Sequence, residues 1–165
     1  MIEIDRLRED DWRTLRDVRL RALTEAPYAF WATHADEAAQ TESQWRKFLR
    51  VAAFHVARRD GQIVGIAAAL AHQGAADEPE LIAMWVAPHD RRRGVATLLT
   101  RHLMSWATDR GATAMTLWVT DGNAAAHSLY EQIGFTVTGE RGAAPHGQTS
   151  GMRRMRIPLN QTRDQ

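Results

Sequence analysis

Residues 80–120 constrain the fold more than any other part of the chain. "ELIAMWVAP" at 80–88 is a mostly apolar run of strand length that ends on a proline. A short basic loop follows. From Val95 the pattern turns helical, with Leu98, Leu99, Leu103 and Trp106 on one stripe and Gly111 just past the end. "AMTLWVT" at 114–120 is a second apolar run of strand length. Two such strands joined through one helix pair parallel by a right-handed crossover, so this unit sits inside a sheet with helices on its faces.

The flanking segments supply the rest. Residues 2–7 alternate apolar and polar, as a half-buried strand does. Over 10–26, Trp12, Leu15, Val18, Arg19, Ala22 and Leu23 mark one helix face, Asp10 or Asp11 can cap it, and Pro27 stops it. "TESQ" at 41–44 reads as a capping box before a helix carrying Trp45, Phe48, Leu49 and Ala52 on one side. Residues 54–71 read as a hairpin about Asp60-Gly61, where both central positions need positive φ. "HQGAADEP" at 72–79 reads as a polar loop, 121–135 as a loop, a short helix and a glycine stop, and 135–140 as a strand. Residues 141–151 then read as a mobile loop and 152–159 as a closing strand. The order is β-α-α-β-β-β-α-β-α-β-β, an α/β class with a mixed sheet. One domain over 1–159 and a polar tail over 160–165 are expected.

Composition closes off several chemistries. The chain has 21 basic and 20 acidic side chains and a net charge of +1, which argues against a nucleic-acid coat. Without cysteine there is no disulfide, thiolate site or cysteine nucleophile. The seven histidines never fall four apart, so no helical zinc pair exists and no metal is expected. The charged start "MIEIDRLRED" and the lack of a long apolar run predict a cytoplasmic protein with no membrane partner.

The basic loop, Arg91-Arg92-Arg93-Gly94, opens the helix of the parallel unit. The first turn of a helix has N–H groups without internal partners, and its dipole favours an anion. Gly94 has no Cβ to keep a diphosphate from the backbone, and Ala96 is small. The loop is neither a Walker loop nor a dinucleotide fingerprint, because Gly-Lys-Ser/Thr and G-x-G-x-x-G are both absent. It reads either as an anion seat or as a basic turn that starts a helix.

Two blocks carry a family resemblance. Arg91-Arg92-Arg93-Gly94-Val95-Ala96 is similar to the Gln/Arg-x-x-Gly-x-Gly/Ala motif that binds acyl-CoA in the GNAT superfamily of N-acetyltransferases. "LWVTDGNAAAHSLYEQIGF" resembles that family's later block, Asn-x-x-Ala followed by Leu-Tyr-x-x-x-Gly-Phe. The resemblance covers about residues 2–159 and is strongest over 80–136. It implies a mostly antiparallel sheet with one splayed parallel pair, the first strand of which carries a bulge.

It also implies acetyl-CoA as cofactor and direct acyl transfer in a ternary complex. Met84, Trp85 and Val86 would line the pantetheine arm, with Val86 as backbone partner. The loop residues Arg91, Arg92, Arg93 and Gly94, with Val95, Ala96 and Thr97 of the first turn, would hold the pyrophosphate. Asn123 fits either a helix N-cap or a contact near the thioester. Tyr130 fits either helix packing or, in the family reading, the acid that protonates the leaving thiolate. Glu80 is the candidate base, with His72, His89 and His146 as weaker relays. Tyr28, Phe30 and Trp31, followed by Asp36 and Glu37, form the candidate substrate loop.

The implied acceptor is a small-molecule amine. The alternatives are a protein N-terminus or lysine as acceptor, and a non-catalytic acyl-CoA sensor. A homodimer is a further possibility that the family raises.

Overall fold

The computed structural model describes residues 1–27, 32–144 and 151–160. Chain order is β1 (Ile2–Arg6), α1 (Trp12–Glu25), α2 (His34–Ala38), α3 (Glu42–Val51), β2 (Ala52–Arg59), β3 (Gln62–His72) and β4 (Ala75–Val86). Then come α4 (Val95–Asp109), β5 (Ala114–Thr120), α5 (Ala124–Ile133), β6 (Thr136–Ala143) and β7 (Gly151–Pro158). The strands form one seven-stranded sheet in the order β1-β2-β3-β4-β5-β7-β6. Every neighbouring pair is antiparallel except β4 and β5, the pair joined through α4. This is the mixed sheet with one parallel pair expected from the sequence.

Side chains alternate across a strand, so each strand feeds two cores. Val64, Ala67 and Ala69 of β3 join Leu99 and Leu103 of α4 and Phe135 on one face. Ile66 and Ala68 join Leu15 and Leu23 of α1 and Trp45 of α3 on the other. Gly65 lets α4 lie close to β3, because a Cβ there would stand 3.0 Å from Val95 and 3.1 Å from Leu99.

The alternation breaks in β3, where Val64 and Ala67 share a face across an extra residue opposite Ala57 and Arg58, and again in β4. Leu81 packs on the α4 side, Ile82 and Ala83 on the α1 side, Met84 on the α4 side and Trp85 on the α1 side again. Leu81 and Trp85 are four apart and would share a face in a regular strand. Register explains the switch: Ala68 pairs with Ile82 but Ile66 with Trp85, so β4 holds one extra residue there. Ala83 sits in that bulge with φ of +59°, a conformation unusual for a residue with a Cβ.

Local signals held where side chains fix them. Thr41 Oγ1 accepts from Gln44 N–H at 3.3 Å, and Gln44 Oε1 from Thr41 N–H at 2.8 Å. Asp60 and Gly61 have φ of +51° and +77°, as their two-residue turn demands.

Four boundaries differ. Residues 34–38 form a short helix, because Thr33 Oγ1 accepts from Asp36 N–H at 3.1 Å. The polar stretch 72–79 is a tight hairpin in which His72 faces Ala75, so β4 begins at Ala75. Ala52 opens β2 instead of closing a helix. Residues 141–143 extend β6 by pairing with 151–153 of β7, so Gly151 belongs to a strand, and 145–150 of that expected loop lie outside the described residues. Asp11 stands at the N-cap position of α1 but makes no side-chain capping bond to that helix; its carboxylate instead accepts from Arg8 N–H at 2.8 Å and closes the turn that precedes α1. Among the described residues no helix is long and apolar enough to cross a membrane.

Candidate active site

β4 and β5 touch and then part. Thr113 N–H donates to Asp77 C=O at 2.8 Å, and Glu80 pairs with Thr116. Beyond that point the bulge at Ala83 turns β4 away, and no further register pair forms. A cavity of about 510 Å³ opens between Leu81–Met84 of β4 and Leu117–Thr120 of β5. A gap between two parallel strands leaves backbone groups that an extended ligand can pair with, as an added strand would.

The cavity gathers several residues singled out in the sequence. Glu80 lines it from β4, and its Oε1 lies 3.5 Å from His72 Nε2. Tyr130 lines it from α5, its ring set edge-on against Phe135 with centroids 5.7 Å apart. Burial pushes the Tyr130 phenol well above its ordinary pKa, so the group stays protonated. Asn123 lines the cavity while capping α5, its Oδ1 accepting from Ala126 N–H at 3.1 Å. Met84 lines it too.

Two strand residues lie elsewhere. Trp85 is 3% exposed in the α1 core, and its Nε1 donates to Glu25 Oε2 at 2.8 Å. Val86 packs against the α4 core, and its carbonyl accepts from Arg91 Nε at 3.0 Å.

The arginine loop leaves the same strand. Arg59 and Asp90 form an ion pair that anchors the turn Pro88–Asp90. Gly94 caps α4 with φ of +80°, and a Cβ there would meet nothing within 4 Å. Leu98 N–H is the first to bond back within the helix, to Gly94 C=O at 3.0 Å. The amides of Val95, Ala96 and Thr97 are therefore free to meet an anion. Arg92 has φ of +62°, so the loop carries two left-handed residues. Arg91 is tied to Glu25 at 2.6 Å, whereas Arg92 and Arg93 are exposed and form no ion pair among the described residues.

The model of the Acetyltransferase (GNAT) family matches residues 5–135. The chain belongs to the GNAT acetyltransferase family. It is 38% identical over 99 residues to N-acetylaspartate synthetase of Homo sapiens, a match covering 60% of this chain and 32% of that protein. The chain thus spans about a third of the length of that relative. A GNAT-family acetyltransferase of Streptococcus pneumoniae shares the fold at a TM-score of 0.81 and 20% identity, covering 97% of this chain and 100% of that one. An acetyltransferase of Salmonella typhimurium, solved with its cofactor acetyl-CoA, gives a TM-score of 0.78 at 18% identity, covering 100% and 98%.

For a GNAT protein the decisive question is whether the chain can seat acetyl-CoA. A glycine whose missing Cβ leaves open space, three free amides and two unpaired arginines suit a diphosphate, and the parted strands suit an extended arm. The residues fit the group.

The family member's acceptor side was less legible. Tyr28, Phe30 and Trp31 lie outside the described residues, as does His146. Arg19, Glu37, Gln40 and Phe48 line the cavity instead. Arg19 is 5% exposed and Glu37 1%, and they form an ion pair at 2.8 Å. The signal was present: an arginine on the apolar face of α1 needs a buried acidic partner, and the Thr33 cap places Glu37 on a helix.

Proposed function

We propose that the chain is an acetyl-CoA-dependent N-acetyltransferase acting on the primary amine of a small molecule in a ternary complex. The observation that carries this reading is the cavity between the parted strands β4 and β5, which Glu80 and Tyr130 line together. Its volume of about 510 Å³ lies in the range of small-ligand sites.

The bound cofactor would supply a thioester carbonyl open to attack by nitrogen. The free amides of Val95, Ala96 and Thr97 would hold its diphosphate, with Arg92 and Arg93 adding charge at the rim. Glu80 would take a proton from the incoming ammonium, and His72, half exposed at 3.5 Å, would pass it to solvent. As the C–S bond breaks, the Tyr130 hydroxyl would give its proton to the departing sulfur, and the second proton shed by the acetylated nitrogen would restore the phenol. Burial keeps the phenol proton in place until it is needed. With no cysteine in the chain, direct transfer is simpler than a covalent acyl-enzyme through a thiol. The reading keeps the cytoplasmic setting expected from the sequence.

The test is a panel of primary amines, scored by release of free CoA thiol. Turnover of at least one small amine is expected. Tight acetyl-CoA binding with no thiol release across the panel would favour a sensor over an enzyme.

A further inference from the structure

The acceptor end of the cavity contains an unmet demand for a hydrogen-bond donor. Arg19 spends both Nε and Nη2, at 3.0 and 2.8 Å, on a single oxygen of Glu37, Oε1. The other oxygen, Oε2, is buried and has no hydrogen-bond partner, and the same is true of Gln40 Oε1. Glu37 and Gln40 stand one turn apart, joined by Gln40 N–H donating to Glu37 C=O at 3.1 Å, and both line the cavity beside Phe48. A buried carboxylate oxygen left without a donor costs stability, and its best complement is a charged N–H.

The charge count points the same way. Among the described residues that line the cavity, Arg19 is the one basic side chain, set against the carboxylates of Glu37 and Glu80. Arg19 is committed to Glu37, so a substrate carboxylate would find no fresh cation there and would meet an acidic wall. A second cationic nitrogen would meet two waiting acceptors.

We infer that the acceptor carries two cationic nitrogens: one is acetylated beside Glu80, and the other docks on Glu37 Oε2 and Gln40 Oε1. The substrate class is therefore a diamine, in preference to a plain alkylamine or an amino acid. This rests on the N-acetyltransferase reading above.

The test compares 1,5-diaminopentane, 1-aminopentane and 5-aminopentanoate, which share a chain and differ at the far end as cation, methyl and carboxylate. In the wild-type protein kcat/KM for the diamine should exceed that for the monoamine by about tenfold or more, with the amino acid last. Glu37→Gln should collapse the diamine preference while acetyl-CoA affinity, read by calorimetry, is retained. Gln40→Leu, which leaves the Arg19–Glu37 pair intact, should reduce the preference as well, and it serves if Glu37→Gln does not fold. Equal turnover of diamine and monoamine, or 5-aminopentanoate as the best substrate, would overturn this inference and leave the acetyltransferase reading standing. No thiol release with any of the three or with the wider panel would overturn both.

Discussion

Glu25, the last residue of α1, holds Arg91, the first residue of the arginine triplet, at 2.6 Å. The same carboxylate oxygen accepts from Trp85 Nε1 at 2.8 Å, and Arg91 Nε reaches the Val86 carbonyl at 3.0 Å. One side chain thus fastens a helix end, the outer end of β4 and the loop that opens α4. The residues after Glu25 lead to α2 and its Glu37, so cofactor loop and acceptor side share an anchor.

Glu25→Gln should loosen that anchor and weaken acetyl-CoA binding several-fold, as measured by calorimetry. It should also change the response to acid. Burial alone would raise the Glu25 pKa, but the hydrogen bonds from Trp85 and Arg91 outweigh it and hold the carboxyl below its ordinary 4.5. A depressed carboxyl stabilises the fold above its unfolded pKa and loses that contribution as pH falls through the folded value. Below about pH 4.5 the wild-type melting temperature should therefore fall more steeply than that of Glu25→Gln. Parallel melting curves across that window would remove Glu25 as an anchor.

Gly94 separates backbone strain from occupancy. At φ of +80° any side chain is strained, so Gly94→Ala should cost roughly 1–2 kcal/mol. The Cβ itself would enter open space, so the protein does not forbid it. Gly94→Glu fills and charges the space above the free amides and should abolish acetyl-CoA binding while the protein still folds. Unchanged affinity would mean that no diphosphate sits there.

The fold was legible wherever one local rule decided the outcome. The apolar runs flanking α4 dictated the parallel pair, and the Thr41–Gln44 box and the Asp60-Gly61 turn each formed from side chains or φ values that no distant contact overrides. Elements decided by tertiary pairing were not legible. Residues 72–79 are polar, yet their backbone is recruited as a strand by β3. The short helix α2 exists through one cap and the buried pair of Glu37 with Arg19, partners eighteen residues apart. The site divided in the same way. Gly94 and Tyr130 announce themselves through spacing, whereas the direction of Trp85 depends on one extra residue at Ala83 that flips the strand's alternation.

Tyr130→Phe keeps the ring against Phe135 and removes only the hydroxyl, so stability and acetyl-CoA affinity should stay close to wild type. Turnover should fall by roughly a hundredfold or more, the usual contribution of a positioned general acid. Burial holds the phenol protonated across the working range, so any alkaline limb in the wild-type rate profile belongs to another group and should persist in the variant. Full activity would reassign the acid.

His55 sets a limit at low pH that is independent of the cavity. It is 1% exposed, tilted against His102 with centroids 5.0 Å apart and against Trp106 at 5.7 Å. Arg6 and Arg110 lie 5.3 and 4.0 Å from the Trp106 ring. Burial chiefly lowers its pKa from 6.5 to about 4; the hydrogen bond to the Ala53 carbonyl pulls it upward, and His102, Arg6 and Arg110 add smaller downward contributions. The folded state therefore holds this ring neutral while the unfolded chain binds a proton below pH 6.5. Stability is full above that value and drains as pH falls toward 4, by on the order of 3 kcal/mol across the window. Thermal melts of wild type and His55→Gln between those two pH values check this. The variant should be less stable at neutral pH but show a flatter decline, and an unchanged slope would assign the acid sensitivity to a different group.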